Sequence, residues 1–145
     1  MGVQVSYFGV DFRNIKPHVL AAANDEALNY IGEEIKYDTE EYVPMDTGML
    51  RNSATVSAAH GGEMEIQYSR LITYEDSDGN VHTIDGAEWV YNGLNPVRSE
   101  LSGGSVPIIN YTTPGTGPFW FERATEEHLK EWKKEFTFKF IDSFT

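Results

Sequence analysis

The run Pro114-Gly115-Thr116-Gly117-Pro118 puts two prolines and two glycines in five residues, and Phe119-Trp120-Phe121 follows at once. Proline locks φ and removes a backbone donor, while glycine opens the left-handed region that other residues avoid. No regular strand or helix passes through such a run. It must be a stiff, sharply turned loop, and a new element must start behind it. Pro118 suits the first helical position, where a missing N–H would have no partner anyway. A helix is therefore predicted over 118–141, with Phe119, Trp120 and Phe121 in its first turn. Phe121 and Ala124 begin a stripe that Trp132, Phe136, Phe140 and Phe144 continue at every fourth position. Phe136, Phe138 and Phe140 also alternate with period two, so a final strand over 136–140 is the alternative. The rest of the chain reads as a scaffold for this loop and the helix behind it.

A length of 145 residues predicts a single domain, 1–145, large enough to bury a core. The 40% apolar and 13% aromatic content belongs to a folded chain. A net charge of −12 argues against a general DNA-binding face, because lysine and arginine supply nucleic-acid affinity by neutralising phosphates. It leaves room for DNA passing nearby without sticking, and for a basic partner surface. The absence of cysteine excludes disulfides, thiolate zinc sites and a cysteine nucleophile, and it fits a reducing compartment. No run of about 20 apolar residues is present to span a membrane. The first residues lack the basic flank and apolar core of a signal peptide, so a protein used without secretion is expected.

From the N-terminus, Val3, Val5, Tyr7 and Val10 suggest a weak strand or an extended arm over residues 1–13. Pro17 marks the start of a long helix over 16–42, with Val19, Leu20, Ala23, Ala27, Leu28, Ile31, Ile35 and Tyr42 on its apolar face. The opposite face carries Asp25, Glu26, Glu33, Glu34, Asp38, Glu40 and Glu41, a solvated charge run. Pro44 ends the helix. Asp46 or Thr47 can then cap a short helix in which Met49 and Leu50 bury and Arg51 points outward. Residues 55–59 and 63–73 form a hairpin about His60-Gly61-Gly62, and a second turn at 76–80 leads into a return strand over 81–84. Trp89-Val90-Tyr91 is a short buried segment. Residues 93–110, rich in Gly, Ser, Asn and Pro, read as a long loop.

The usual catalytic and ligand-binding patterns are incomplete. Asp76, Asp78 and Asn80 resemble half of a calcium loop, but Ala87 stands where the bidentate glutamate belongs, so the run reads as a hairpin turn. His18, His60, His82 and His128 have no zinc-ligand spacing and read as surface or turn residues. Gly115-Thr116-Gly117 lacks the lysine of a phosphate-binding loop. No serine sits in a nucleophile elbow, and no spacing pairs two carboxylates for acid–base work. No enzyme activity, cofactor or metal is expected. The aromatic stripe reads first as core, with a partner-binding face as the sharper option.

Two segments carry a family resemblance. Val43-Pro44-Met45-Asp46-Thr47-Gly48-Met49-Leu50-Arg51-Asn52-Ser53 is similar to a signature that follows the first long helix in small neck and tail-completion proteins of tailed bacteriophages. Tyr111-Thr112-Thr113-Pro114-Gly115-Thr116-Gly117-Pro118-Phe119-Trp120 closely resembles the late motif of the phage minor capsid proteins, where it leads into a terminal helix. Trp89-Val90-Tyr91-Asn92-Gly93 matches the element between them, and order and spacing agree over roughly residues 15 to 135.

The resemblance implies an α+β fold, with a small, mostly antiparallel sheet on which a long N-terminal helix and a C-terminal helix pack. It implies a structural protein of the virion, made in the host cytoplasm. The expected role is a homo-oligomeric ring at the head–tail junction that joins connector or head-closure proteins to the tail, with DNA passing through without specific binding. A tail terminator or head-closure protein of the same neck is an alternative. A monomeric binding module with an aromatic groove, and a hydrolase with an unrecognised carboxylate site, are the readings from other classes. The expected interface comprises Asp46, Thr47, Gly48, Leu50 and Arg51, the run Pro114, Gly115, Gly117, Pro118, Phe119, Trp120 and Phe121, Arg123, and the loop over 93–106. Arg51 and Arg123 would pair there with a neighbour's carboxylates.

Overall fold

A computed structural model describes residues 6–7, 10–11, 16–45, 48–111 and 113–144. The fold is α+β, as expected. It runs β1 (Ser6–Tyr7), β2 (Val10–Asp11), α1 (Pro17–Glu40), α2 (Met49–Asn52), β3 (Thr55–Val56), β4 (Ile66–Gln67), β5 (Leu71–Glu75), β6 (Val81–Asp85), α3 (Ala87–Tyr91), α4 (Pro96–Ser102) and α5 (Trp120–Asp142). Among the described residues the strands form three two-stranded ladders, β1–β2, β3–β4 and β5–β6. The first and last are antiparallel, with Tyr7 opposite Val10 and Thr73 opposite Thr83.

The chain divides into two compact units, Met1–Lys36 with Val56–Ile66 and His128–Thr145, and Tyr37–Thr55 with Gln67–Glu127. In the first unit, Ala23, Ala27 and Ile31 are buried at four-residue spacing on α1, and Trp132 and Ile141 are buried on α5. The hairpin leading into β4 sits close on α1. A Cβ added to Gly32 would lie 2.8 Å from Val56 Cγ1 and 3.1 Å from Met64 Sδ. Asn29 Oδ1 accepts from the Ala59 N–H at 2.6 Å, and Asp25 Oδ1 accepts from the Gly62 N–H at 2.8 Å. Part of the acidic face of α1 therefore holds its own hairpin. On α5, Phe136 stacks on Phe140 at 6.1 Å, and Phe144, just beyond the helix end, meets Phe140 edge-on at 5.3 Å. Phe136 and Phe140 ride a continuous helix, and the alternative strand over 136–140 is not formed.

In the second unit, Val43, Leu50, Ala54, Ala87, Trp120 and Ala124 are buried. Turn chemistry sets the β5–β6 hairpin. Asp76 Oδ1 accepts from the N–H groups of Asp78 and Asn80, each at 2.9 Å, and Asp76 Oδ2 lies 2.7 Å from His82 Nε2. The calcium-like run is thus a turn that caps itself.

Several expectations need correction. Helix α1 stops at Glu40, and Tyr42 is buried beyond its end. Residues 63–73 do not make one strand; they divide into β4 and β5. The stretch over 93–110 is not structureless. Asn95 Oδ1 accepts from the Arg98 N–H at 3.0 Å, Pro96 takes the first helical position, and Gly103 closes α4 at φ 72°. Pro118 does not begin α5. The helix starts at Trp120, and Phe119 takes a positive φ of 54°, with its carbonyl accepting from Arg123 N. Leu50 is buried but Met49 is 54% exposed, because a single four-residue turn buries only one side. His128 is half-buried and stacks on Trp132 at 5.8 Å, so it is not a plain surface residue.

Candidate functional site

Three stretches singled out in the sequence meet in the second unit: 43–53, 89–93 and 111–123. Backbone hydrogen bonds anchor the loop before α5. The Phe119 N–H donates to the Tyr91 carbonyl at 2.8 Å, and the Gly117 N–H reaches the Tyr42 carbonyl at 3.4 Å. The loop also braces itself, since Thr116 Oγ1 donates to the Thr113 carbonyl at 2.6 Å. Gly117 is buried, and a Cβ there would come within 3.0 Å of Arg123 Nη1. Only a residue without a side chain lets the guanidinium lie this close to the loop.

Arg123 ties the helix back to the loop. Its Nη2 donates to the Gly115 carbonyl at 2.9 Å, and its guanidinium carbon lies 5.4 Å from the centre of the Tyr42 ring. Arg51 works in the same way: its Nη2 donates to the Val43 carbonyl at 2.9 Å. It is half-buried and does not simply point outward. Both guanidiniums hold carbonyls of their own chain. Arg suits this work because its planar fork aims donors in fixed directions.

Trp120 is the centre of the site. It is 1% exposed, with its ring centre 4.6 Å from that of Tyr91 and 5.4 Å from that of Tyr68. Both contacts are T-shaped, the arrangement the ring quadrupoles favour. Its neighbours differ from it: Phe119 and Phe121 are each 45% exposed. The aromatic triplet therefore splits into one core ring and two rings at the surface. Phe119 meets Tyr91 edge-on at 5.7 Å. Asp46 and Thr47 lie outside the described residues, so of the five interface residues expected there only Gly48, Leu50 and Arg51 can be placed. Gly48 takes φ 81° and precedes α2 without a side-chain cap.

Tyr42, Tyr68 and Tyr111 are held protonated. Tyr42 O–H donates to Glu127 Oε2 at 2.5 Å. That bond, followed by burial, pushes the phenol up to about 12. Burial, followed by the charge of Glu40, pushes Tyr68 up to about 12. Burial also raises Tyr111. Tyr91 O–H donates to Glu122. Phenols held as donors to carboxylates brace a structure; an activated nucleophile needs the opposite shift. Beside the loop lies a cleft of about 300 Å³ whose walls include Pro44, Met45, Leu50, Ile72, Ile108 and Tyr111.

Tyr42, Tyr68 and Tyr91 carry much of this geometry, and sequence reading did not single them out as a set. Their common signal is weak, because the partners of each lie far along the chain. Among the described residues, no helix is long and apolar enough to cross a membrane. No curated protein and no solved structure matches the chain. A family model described as minor capsid protein does match, over residues 7–139. That span includes all three converging stretches, and the chain belongs to the phage minor capsid protein family, a structural component of the virion.

Proposed function

We propose that this protein is a ring-forming neck component at the phage head–tail junction, linking the head connector to the tail. The observation that carries this reading is the split of the aromatic triplet. Trp120 locks the loop into the subunit core, while Phe119 and Phe121 are offered at the surface on a braced edge. Half-exposed aromatics fixed in place, with little side-chain entropy left to lose, are the groups that dominate protein interfaces. Pro114, Gly115, Gly117 and Pro118 set the shape of that edge, and Gly48 and Leu50 belong to the same proposed interface. Arg51 and Arg123 contribute by holding the backbone, and a neighbour's carboxylate can add to that role. The net charge of −12 suits a ring whose inner wall must not retain DNA.

Electron microscopy of intact particles, with the protein tagged, tests the reading. Density for a ring between head and tail is the expected result, together with unjoined heads and tails when the gene is deleted. Density only at the tail's upper end, or only sealing the head, favours a tail terminator or a head-closure protein. Absence from mature particles, with normal assembly in the deletion, rejects the reading.

A further inference from the structure

We infer that the C-terminal half of α5 is a docking face for a second copy of this chain, whose Tyr37–Glu41 segment it receives head to tail. The inference rests on the ring reading above and names the surface that would build it. Lys130, Lys133, Lys134 and Phe138 fall at helical positions i, i+3, i+4 and i+8, so they share one face of α5. A groove of about 540 Å³ runs along them, and Tyr30 lines it too. The three lysines are exposed and have no ion pair among the described residues. Phe138 is 70% exposed and Tyr30 52%. In a chain of net charge −12, four of the six lysines stand between residues 130 and 139.

Two partner classes fit a basic, aromatic face, nucleic acid and acidic protein. Glu131 and Glu135 line the same groove, interleaved with the lysines. A phosphate backbone would meet both signs there, against the repulsion of the whole molecule. A protein face can match a mixed pattern residue by residue.

The chain itself carries such a face. A recess of about 250 Å³ is lined by Tyr37, Asp38, Glu40, Glu41 and Arg51. It holds three carboxylates, one guanidinium and a tyrosine that is 72% exposed. This is the pattern of the groove with the charge sign reversed. The two faces are different patches, so the contact between copies is heterologous, the kind that builds a ring when its rotation closes.

The absence of cysteine gives a direct test. Full-length Lys133→Cys/Glu40→Cys protein is supplied to phage lacking the gene, and purified particles are oxidised. A ladder of disulfide-linked multimers is expected, and each single-cysteine variant should lose it. The charge reversals Lys133→Glu/Lys134→Glu and Glu40→Lys/Glu41→Lys should each cut copies per particle at least tenfold, and the quadruple swap should restore them. Particles that contain the protein but give no ladder, or in which the charge reversals load normally, overturn this inference and leave the neck assignment standing. Single-cysteine dimers would mean a symmetric contact and also overturn it. Retention of a short DNA duplex by wild type, lost in Lys133→Glu/Lys134→Glu, assigns the face to nucleic acid instead. Particles lacking the wild-type chain reject the neck reading itself.

Discussion

Adjacent aromatics at 119–121 separate into different jobs, which makes them a sharp residue-level test. Trp120 is enclosed by Tyr68 and Tyr91, so Trp120→Ala should destabilise by about 3–5 kcal/mol, as large-to-small core changes do. Phe121→Ala should stay within about 1 kcal/mol, as exposed substitutions do, yet lower incorporation into particles. Denaturant unfolding followed by tryptophan-independent circular dichroism, alongside copies per particle, distinguishes the two effects. Equal loss of stability in both variants would remove the surface role given to Phe121. At Gly86, an added Cβ would lie 2.7 Å from Ile72 Cδ1 and 2.9 Å from Pro96 Cγ. The proline ring cannot swing aside, so Gly86→Ala should cost about 1–3 kcal/mol through overpacking. A midpoint equal to wild type would show that the backbone yields there.

Single elements depend on short-range chemistry. Helix α4 exists because Asn95 caps it and Pro96 starts it. Removing the cap with Asn95→Ala should cost about 1 kcal/mol, read as faster amide exchange in α4. The β5–β6 hairpin depends on two depressed carboxyls. His82 and the N–H groups of Asn80 and Asp78 hold Asp76 below its usual range. The Arg70 N–H, the Ser69 hydroxyl and the Ala87 N–H do the same for Asp85. A depressed carboxyl stabilises the fold above its unfolded pKa, and that contribution disappears as pH falls through the lower folded value. The hairpin should therefore loosen on acidification, and Asp76→Asn should reduce that dependence. Hairpin amide shifts that ignore pH across the carboxylate range would refute the linkage.

For the molecule as a whole, the raised phenols predict the alkaline limit. Tyr42 and Tyr68 titrate near 12 in the fold, against 10 for the ordinary phenol. A raised acid is stabilising while protonated. That stability is complete below about pH 10 and is lost as pH rises through about 12. Tyr42→Phe should flatten part of this loss in a pH series of unfolding midpoints, and an unchanged slope would place the effect elsewhere.

The amino-acid sequence by itself determined the local devices. Periodicity marked α1 and α5, the turns at 60–62 and 76–80 declared two hairpins, and the Pro/Gly run declared the loop before α5. These depend on steric and hydrogen-bonding preferences within a few residues, so they are legible in order along the chain. Even the missed helix α4 was written locally, in Asn95-Pro96. Tertiary structure alone decided which of Phe119, Trp120 and Phe121 is core. Burial depends on Tyr68 and Tyr91, which lie far from Trp120 in the chain. It also decided that Arg51 and Arg123 hold carbonyls at Val43 and Gly115, because a guanidinium's partner is chosen by proximity in space. Periodicity alone could not settle that the aromatic run over 136–140 stays helical. The continuous α5 ladder settles it.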